Sequence, residues 1–156
     1  MREQLHWEFF TAWDKQLDLA AGACVLREPA LSEIVMNSLQ HFDNERYILT
    51  DAVVMPNHVH ILVAFRDEAS LVTQCTSWKH LTATQINRWL RTNAEHGHPS
   101  NGVQPQSSGE FWQVEQFDRL VRNEEDFCRY RFYIAENPWN VPLAEGCFRY
   151  YTRIDK

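Results

Sequence analysis

Two apolar segments separated by a Pro-Asn pair constrain the fold more than any other part of the chain. The first, RYILTDAVVM (46–55), is rich in the β-branched and aromatic residues that strands favour. The second, HVHILVAF (58–65), begins directly after Pro56-Asn57. Two such segments joined by a tight connection predict a β-hairpin.

The remaining elements alternate between helical and extended patterns. Helices are predicted over 30–41, 70–92 and 123–137, and further extended segments over 111–121 and 146–154. The last helix has Asn123 as its N-cap and ends near Asn137, because Pro138 disfavours helical geometry in the residue before it. This order predicts an α+β fold, an antiparallel sheet with helices packed mainly on one face.

Length and composition favour a single domain over residues 1–156. The chain is 44% hydrophobic, and it has neither an apolar stretch of membrane-spanning length nor a signal-peptide pattern at its start. Its four cysteines are scattered, which indicates reduced thiols in the cytoplasm and excludes a disulfide scaffold or zinc finger. Residues 93–110, rich in Gly, Pro and Ser, predict a flexible surface loop within that domain.

The charge balance argues mildly against non-specific binding of nucleic acid. The net charge is −6, from 15 basic and 21 acidic residues, whereas nucleic-acid-binding proteins usually carry a basic excess. One local exception lies between residues 69 and 94, which include Lys79, Arg88 and Arg91 but no carboxylate. These three side chains are therefore a candidate DNA-binding surface.

The second strand carries His58 and His60 two positions apart. Residues at i and i+2 of a strand point to the same face, so both imidazoles project together, about 7 Å apart along the chain. The opposite face of the strand is apolar and is predicted to enter the core: Val59, Ile61, Val63 and Phe65. Such a pair can bind one divalent ion, or it can be two exposed histidines on a hairpin.

The helix predicted over 123–137 has a polar stripe beside a broad apolar arc. The stripe contains Asp126, Arg129, Tyr133 and Asn137. The arc is predicted to contain Phe127, Cys128, Tyr130, Phe132, Ile134 and Ala135. A phenol placed between a guanidinium and an amide suits polar work such as attack on phosphorus, although a partly exposed packing tyrosine fits this segment equally well.

Taken together, these segments resemble a known family. VVMPNHVHILV resembles the HUH motif (His, hydrophobic, His) of single-tyrosine transposases, and YIAENPWNVPLAEG resembles the YIxxNPxxAGL signature of their REP-associated branch. The segments HFDNERYILTDAVVMPNHVHILV, SWKHLTATQIN and FWQVEQFDRLVRNEEDF also fit that branch, so the resemblance extends from about Phe9 to Gly146. The chain departs from the signature at Trp139, Asn140 and Pro142.

The resemblance implies a ferredoxin-like HUH nuclease domain that acts on single-stranded or hairpin DNA, as a monomer or a dimer. It implies that His58, His60 and Asn137 hold Mg²⁺ or Mn²⁺. It also implies that Tyr133 attacks a DNA phosphate, leaving a 5′-phosphotyrosine link and a free 3′-hydroxyl. Arg129, on the same stripe, is added to the candidate DNA-binding residues.

Two other functions remain open at this point. A domesticated descendant could recognise hairpin DNA without cutting or moving it. A two-histidine hydrolase that activates water is a third possibility, but the sequence has no carboxylate general base beside the histidine pair.

Overall fold

The computed structural model describes residues 7–15, 25–95, 111–112, 117–140, 143 and 146–154. These contain five strands and three α-helices: β1 (Glu8–Lys15), α1 (Pro29–Gln40), β2 (Ile48–Val54), β3 (His58–Phe65), α2 (Glu68–Glu95), β4 (Phe117–Leu120), α3 (Glu124–Glu136) and β5 (Arg149–Thr152). Two 3₁₀ turns, Val25–Arg27 and Asn137–Asn140, precede α1 and follow α3. The predicted hairpin and all three predicted helices are confirmed to within a few residues at their ends.

The strands form one antiparallel sheet in the order β4-β1-β3-β2-β5. The first four strands and the two helices between them follow the β-α-β-β-α-β order of a ferredoxin-like fold. Strand β5 then extends the sheet beside β2. The α+β fold with an antiparallel sheet, predicted from the sequence, is confirmed.

Strand β3 divides the molecule into two faces. Val59, Ile61, Val63 and Phe65 enter a large apolar cluster with residues of α1 and α2. The alternate residue Leu62 faces the other way and packs with Val53, Met55 and Ile134, the last of these from α3. Two helices therefore cover one face, as expected, and α3 covers the opposite face.

Helix α3 is held on its face partly by an ion pair between the partly exposed Arg131 and a buried carboxylate. A β-bulge between Leu49 and Asp51 turns Asp51 toward α3, where its carboxylate is fully buried. The Arg131 guanidinium lies 3.2 Å from one carboxylate oxygen of Asp51, and the Thr152 hydroxyl donates to the other at 2.7 Å. Arg131 also donates to the Arg153 carbonyl on the β5 side, at 2.7 Å. One side chain thus joins α3 to two strands.

The rotation of α3 differs from the predicted apolar arc. Phe127, Tyr130 and Ile134 do pack against the sheet. Phe132, expected to be buried, is 67% exposed, and Cys128 is exposed as well. Those two predictions are wrong because Arg131, which the arc leaves out, is the residue that turns inward to its buried partner.

The start of α3 follows its predicted chemistry. The Asn123 side chain accepts a hydrogen bond from the Asp126 amide at 2.8 Å, which caps the helix. Most of the predicted loop lies outside the described residues, although its first three positions continue α2 to Glu95. Within the described segments, no helix is both long enough and apolar enough to cross a membrane.

Candidate functional site

Both histidines lie among the first three residues of β3, on the face of the sheet that α3 covers. His58 opens the strand and is partly exposed, whereas His60 is 6% exposed. The His60 ring lies 5.3 Å, centroid to centroid, from the ring of Tyr133 on α3, in an edge-to-face arrangement. The alternation of the strand thus directs the imidazoles to the face opposite the main core, as the sequence predicted.

The C-terminal end of α3 supplies the other half of the site. Asn137 follows the last residue of the helix and is buried, and its Oδ1 lies 3.3 Å from His58 Nε2. Tyr133 is one helical turn earlier and 52% exposed. The structure therefore brings the histidine pair next to the tyrosine and the amide, although more than 70 residues separate the two pairs along the chain.

His58 contacts side-chain oxygens through both ring nitrogens. Its Nδ1 lies 2.8 Å from Asn57 Oδ1, and its Nε2 lies 3.3 Å from Asn137 Oδ1. Which nitrogen carries the proton depends on the tautomer of the ring. With the proton on Nδ1, where Asn57 Oδ1 accepts it, Nε2 and Asn137 Oδ1 would face each other as two electron-pair donors, an arrangement that a cation between them would stabilise.

His60 is also in a state that suits metal binding. Burial, with a smaller contribution from the nearby His58 imidazole, lowers the pKa of His60 from 6.5 to about 4, so the ring is neutral at pH 7. Its Nε2 lies 2.7 Å from the Thr11 hydroxyl oxygen, while its Nδ1 is buried and has no hydrogen-bond partner among the described residues. An orphaned ring nitrogen on a neutral imidazole fits a metal ligand.

The donor set is two imidazoles and an amide. The described residues contain no group of three or more His, Cys, Asp or Glu that could hold a metal ion. The third ligand of the candidate site would instead be the neutral side chain of Asn137. The residues present therefore fit a divalent ion through nitrogen and amide oxygen donors.

The candidate DNA-binding residues are not gathered around this site. Lys79, Arg88 and Arg91 belong to α2, which packs on the face of the sheet opposite the histidines. Arg129 does lie on α3 and its side chain is largely exposed, but its guanidinium is 2.8 Å from the Asp126 carboxylate. Only Arg129 of these four therefore shares the face of the candidate site.

Sequence reasoning missed Thr11 as a neighbour of the site. This threonine is buried in β1, a strand that was not predicted, and it reaches His60 across 49 positions of sequence. The one local signal is the alternation Phe10-Thr11-Ala12, which is too short to identify a central strand. A polar residue at a position that pairs with the HxH strand is recognisable only once the sheet order is known.

Comparison with known proteins supports the fold alone. No protein-family model and no curated protein matches the sequence. Among solved structures, the chain is similar to a REP-associated tyrosine transposase bound to a REP hairpin, with a TM-score of 0.53 and 14% identity over 90% of this chain and 72% of that one. At this identity the chain shares the architecture of that transposase, a five-stranded antiparallel sheet with three helices.

Proposed function

We propose that this protein is a metal-dependent transesterase that nicks and rejoins single-stranded DNA near a hairpin, with Tyr133 as the nucleophile. In this proposal His58, His60 and Asn137 hold Mg²⁺ or Mn²⁺, and the intermediate is a 5′-phosphotyrosine. Such chemistry would serve DNA transposition or recombination in the cytoplasm. The structural neighbour is itself a tyrosine transposase bound to a DNA hairpin, which supports the choice of substrate.

One observation carries the proposal: an exposed phenol stands beside a buried, neutral imidazole and one turn from an amide that faces a second imidazole. The ring contact between Tyr133 and His60 and the 3.3 Å contact between His58 and Asn137 lie on one face of the sheet. A protein that only binds DNA has no need of this combination. The tyrosine is 52% exposed, so a DNA phosphate can reach it.

The chain's own residues hold the reacting groups in place. A bound divalent ion would polarise the scissile phosphate and offset the negative charge that develops there. The phenol of Tyr133 loses its proton to solvent and its oxygen bonds to phosphorus, while the bond from phosphorus to the 3′ oxygen breaks and the leaving oxygen takes up a proton from solvent, so one proton moves in net from the phenol to the 3′-hydroxyl. Because one phosphoester replaces another, attack by the free 3′-hydroxyl can reverse the step and rejoin the DNA.

DNA would approach from the α3 face, where the largely exposed Arg129, in an ion pair with Asp126, lies one helical turn before the proposed nucleophile. Lys79, Arg88 and Arg91 would contact phosphates only where a hairpin extends past the edge of the sheet toward α2. Single-stranded or hairpin DNA is the proposed partner in either case.

The decisive experiment is a covalent-capture assay with labelled hairpin oligonucleotides and Mn²⁺. Tyr133→Phe removes the attacking oxygen but keeps the ring next to His60, so the protein–DNA adduct should disappear while folding and hairpin binding survive. Tyr130→Phe is the matched control. Tyr130 is about 60° away around the helix and packs toward Val53 and Ile134, so its variant should still form the adduct.

Mass spectrometry of the DNA–peptide adduct identifies the nucleophile directly. An adduct on Tyr130, Tyr150 or Tyr151 would contradict the assignment to Tyr133. Failure to form any adduct, across hairpins of both polarities and both metals, would favour the alternative of a domesticated hairpin-binding protein that does not cut.

A further inference from the structure

Thr11 makes the closest polar contact to His60. Its Oγ1 lies 2.7 Å from His60 Nε2 and 3.3 Å from the carbonyl oxygen of Ile61. Thr11 pairs with Leu62 across the β1–β3 ladder, so its side chain is a diagonal neighbour of His60 on the face covered by α3. Both side chains are buried, at 7% and 6% exposure.

The contacts of this hydroxyl determine where the imidazole proton lies. A threonine hydroxyl has one hydrogen to donate and lone pairs to accept with. The Ile61 carbonyl can only accept, so the Thr11 hydrogen satisfies it, and the hydroxyl oxygen then accepts from His60 Nε2–H. In this arrangement His60 Nε2–H, the Thr11 hydroxyl and the Ile61 carbonyl all take part in hydrogen bonds.

The opposite arrangement is costly. With the proton on Nδ1, the Thr11 hydroxyl would donate to Nε2, and the ring would bury an N–H with no acceptor, since no described residue accepts a hydrogen bond from the buried Nδ1. A buried N–H without an acceptor costs the full desolvation of that group. The arrangement with Nε2 protonated instead leaves a lone pair on Nδ1.

We infer that Thr11 is a positioning residue: it holds His60 as the Nε2–H tautomer and thereby presents the Nδ1 lone pair to the divalent ion. The inference rests on the proposed metal site and names the residue that prepares it. His58 is oriented the other way: its Nδ1 lies 2.8 Å from Asn57 Oδ1, and its Nε2 faces Asn137 Oδ1. The two histidines therefore contact their neighbouring side-chain oxygens through different ring nitrogens, Nε2 of His60 on Thr11 and Nδ1 of His58 on Asn57.

The test is ¹⁵N NMR of histidine-labelled protein without metal, because protonated and unprotonated ring nitrogens resonate far apart. His60 should show a protonated Nε2 and an unprotonated Nδ1 in the wild type. Thr11→Val keeps the shape but removes the hydroxyl, so the ring should become a mixture of tautomers. Thr11→Ser retains the hydroxyl and should restore the wild-type pattern.

Calorimetric titration with Mn²⁺ adds a second readout. Thr11→Val should weaken binding by about 10-fold or more, the usual effect of removing a group that orients a metal ligand, and Thr11→Ser should recover most of it. Thr76→Val is the control, since the exposed Thr76 hydroxyl donates to the Val72 carbonyl of its own helix α2. Thermal unfolding of each variant separates lost stability from lost positioning.

The outcomes distinguish this inference from the proposed function. A wild-type His60 protonated on Nδ1 overturns the inference alone, as does a Thr11→Val protein with unchanged tautomer and Mn²⁺ affinity. If neither Mn²⁺ nor Mg²⁺ perturbs either histidine, the metal site fails, and the proposed function and this inference fail with it. If Thr11→Val does not fold, the wild-type tautomer and the Thr11→Ser titration still decide the matter.

Discussion

The two faces of the sheet do different work. The face under α1 and α2 buries a large, mainly apolar cluster that includes Tyr47, Phe65 and Trp78. On the α3 face, the apolar cluster in the described part of the chain has four buried members, and beside it lie the Arg131–Asp51 ion pair and the candidate site. One strand, β3, therefore contributes its odd-numbered residues to the main core and presents His58 and His60 of the candidate site on the opposite face.

Truncation of a large side chain in the core under α1 and α2 should have the largest effect on the free energy of unfolding. Phe65 is 1% exposed and lies against Tyr47 and Trp78, so Phe65→Ala should lower the free energy of unfolding by about 3–5 kcal/mol. Phe132→Ala on the exposed side of α3 should change it by less than about 0.5 kcal/mol. Urea unfolding of both variants measures this difference. Equal losses of unfolding free energy in the two variants would contradict the contrast between the two faces.

Substitution of the histidines should affect metal binding on the α3 face. His58→Ala and His60→Ala should each weaken Mn²⁺ binding by at least about 100-fold, or about 2.7 kcal/mol, because each removes a proposed ligand. His80→Ala is the control, since His80 is exposed on α2. Calorimetry gives the affinities. A variant of either histidine that binds Mn²⁺ as tightly as the wild type would contradict the proposed metal site on the α3 face.

Breaking the ion pair tests how α3 is held. Arg131→Met leaves the buried Asp51 carboxylate with only the Thr152 hydroxyl, and because Arg131 is partly exposed we expect a loss of about 2 kcal/mol. Adding Asp51→Asn should recover part of that loss, since the stranded charge is removed. A double variant whose loss equals the sum of the single losses would show that the two side chains do not interact.

The smallest effect is expected from the basic residues of α2. Neutral substitution of Lys79, Arg88 and Arg91 by Gln should weaken hairpin binding by about 10-fold and flatten its salt dependence, by about one unit of slope for each lost phosphate contact. Arg129→Gln, on the α3 face, is the variant to compare. An unaltered salt slope in the triple variant would confine DNA to the α3 face and sharpen the division between the two faces.

Local patterns were enough to predict the hairpin, the direction of His58 and His60, and the cap at Asn123. Each depends on residues within one or two turns or on strand alternation. The burial of Thr11 and the rotation of α3 could not be predicted in this way, because they depend on partners such as His60 and Asp51 that lie about 50 to 80 residues away. Phe132 shows the consequence: its spacing fits an apolar arc, but a distant carboxylate decides which side of the helix turns inward.

The two ends of α3 differ in how charged side chains complement the helix macrodipole. Three carboxylates, Glu124, Glu125 and Asp126, complement the positive end of the helix macrodipole, whereas the last turn has no basic side chain. The negative end points to Asn137, where the proposed ion would sit, so a divalent cation would supply the missing complement. Metal binding and the integrity of the last turn of α3 would then be thermodynamically linked, and slower hydrogen exchange of its terminal amides would report occupancy of the site without any DNA present.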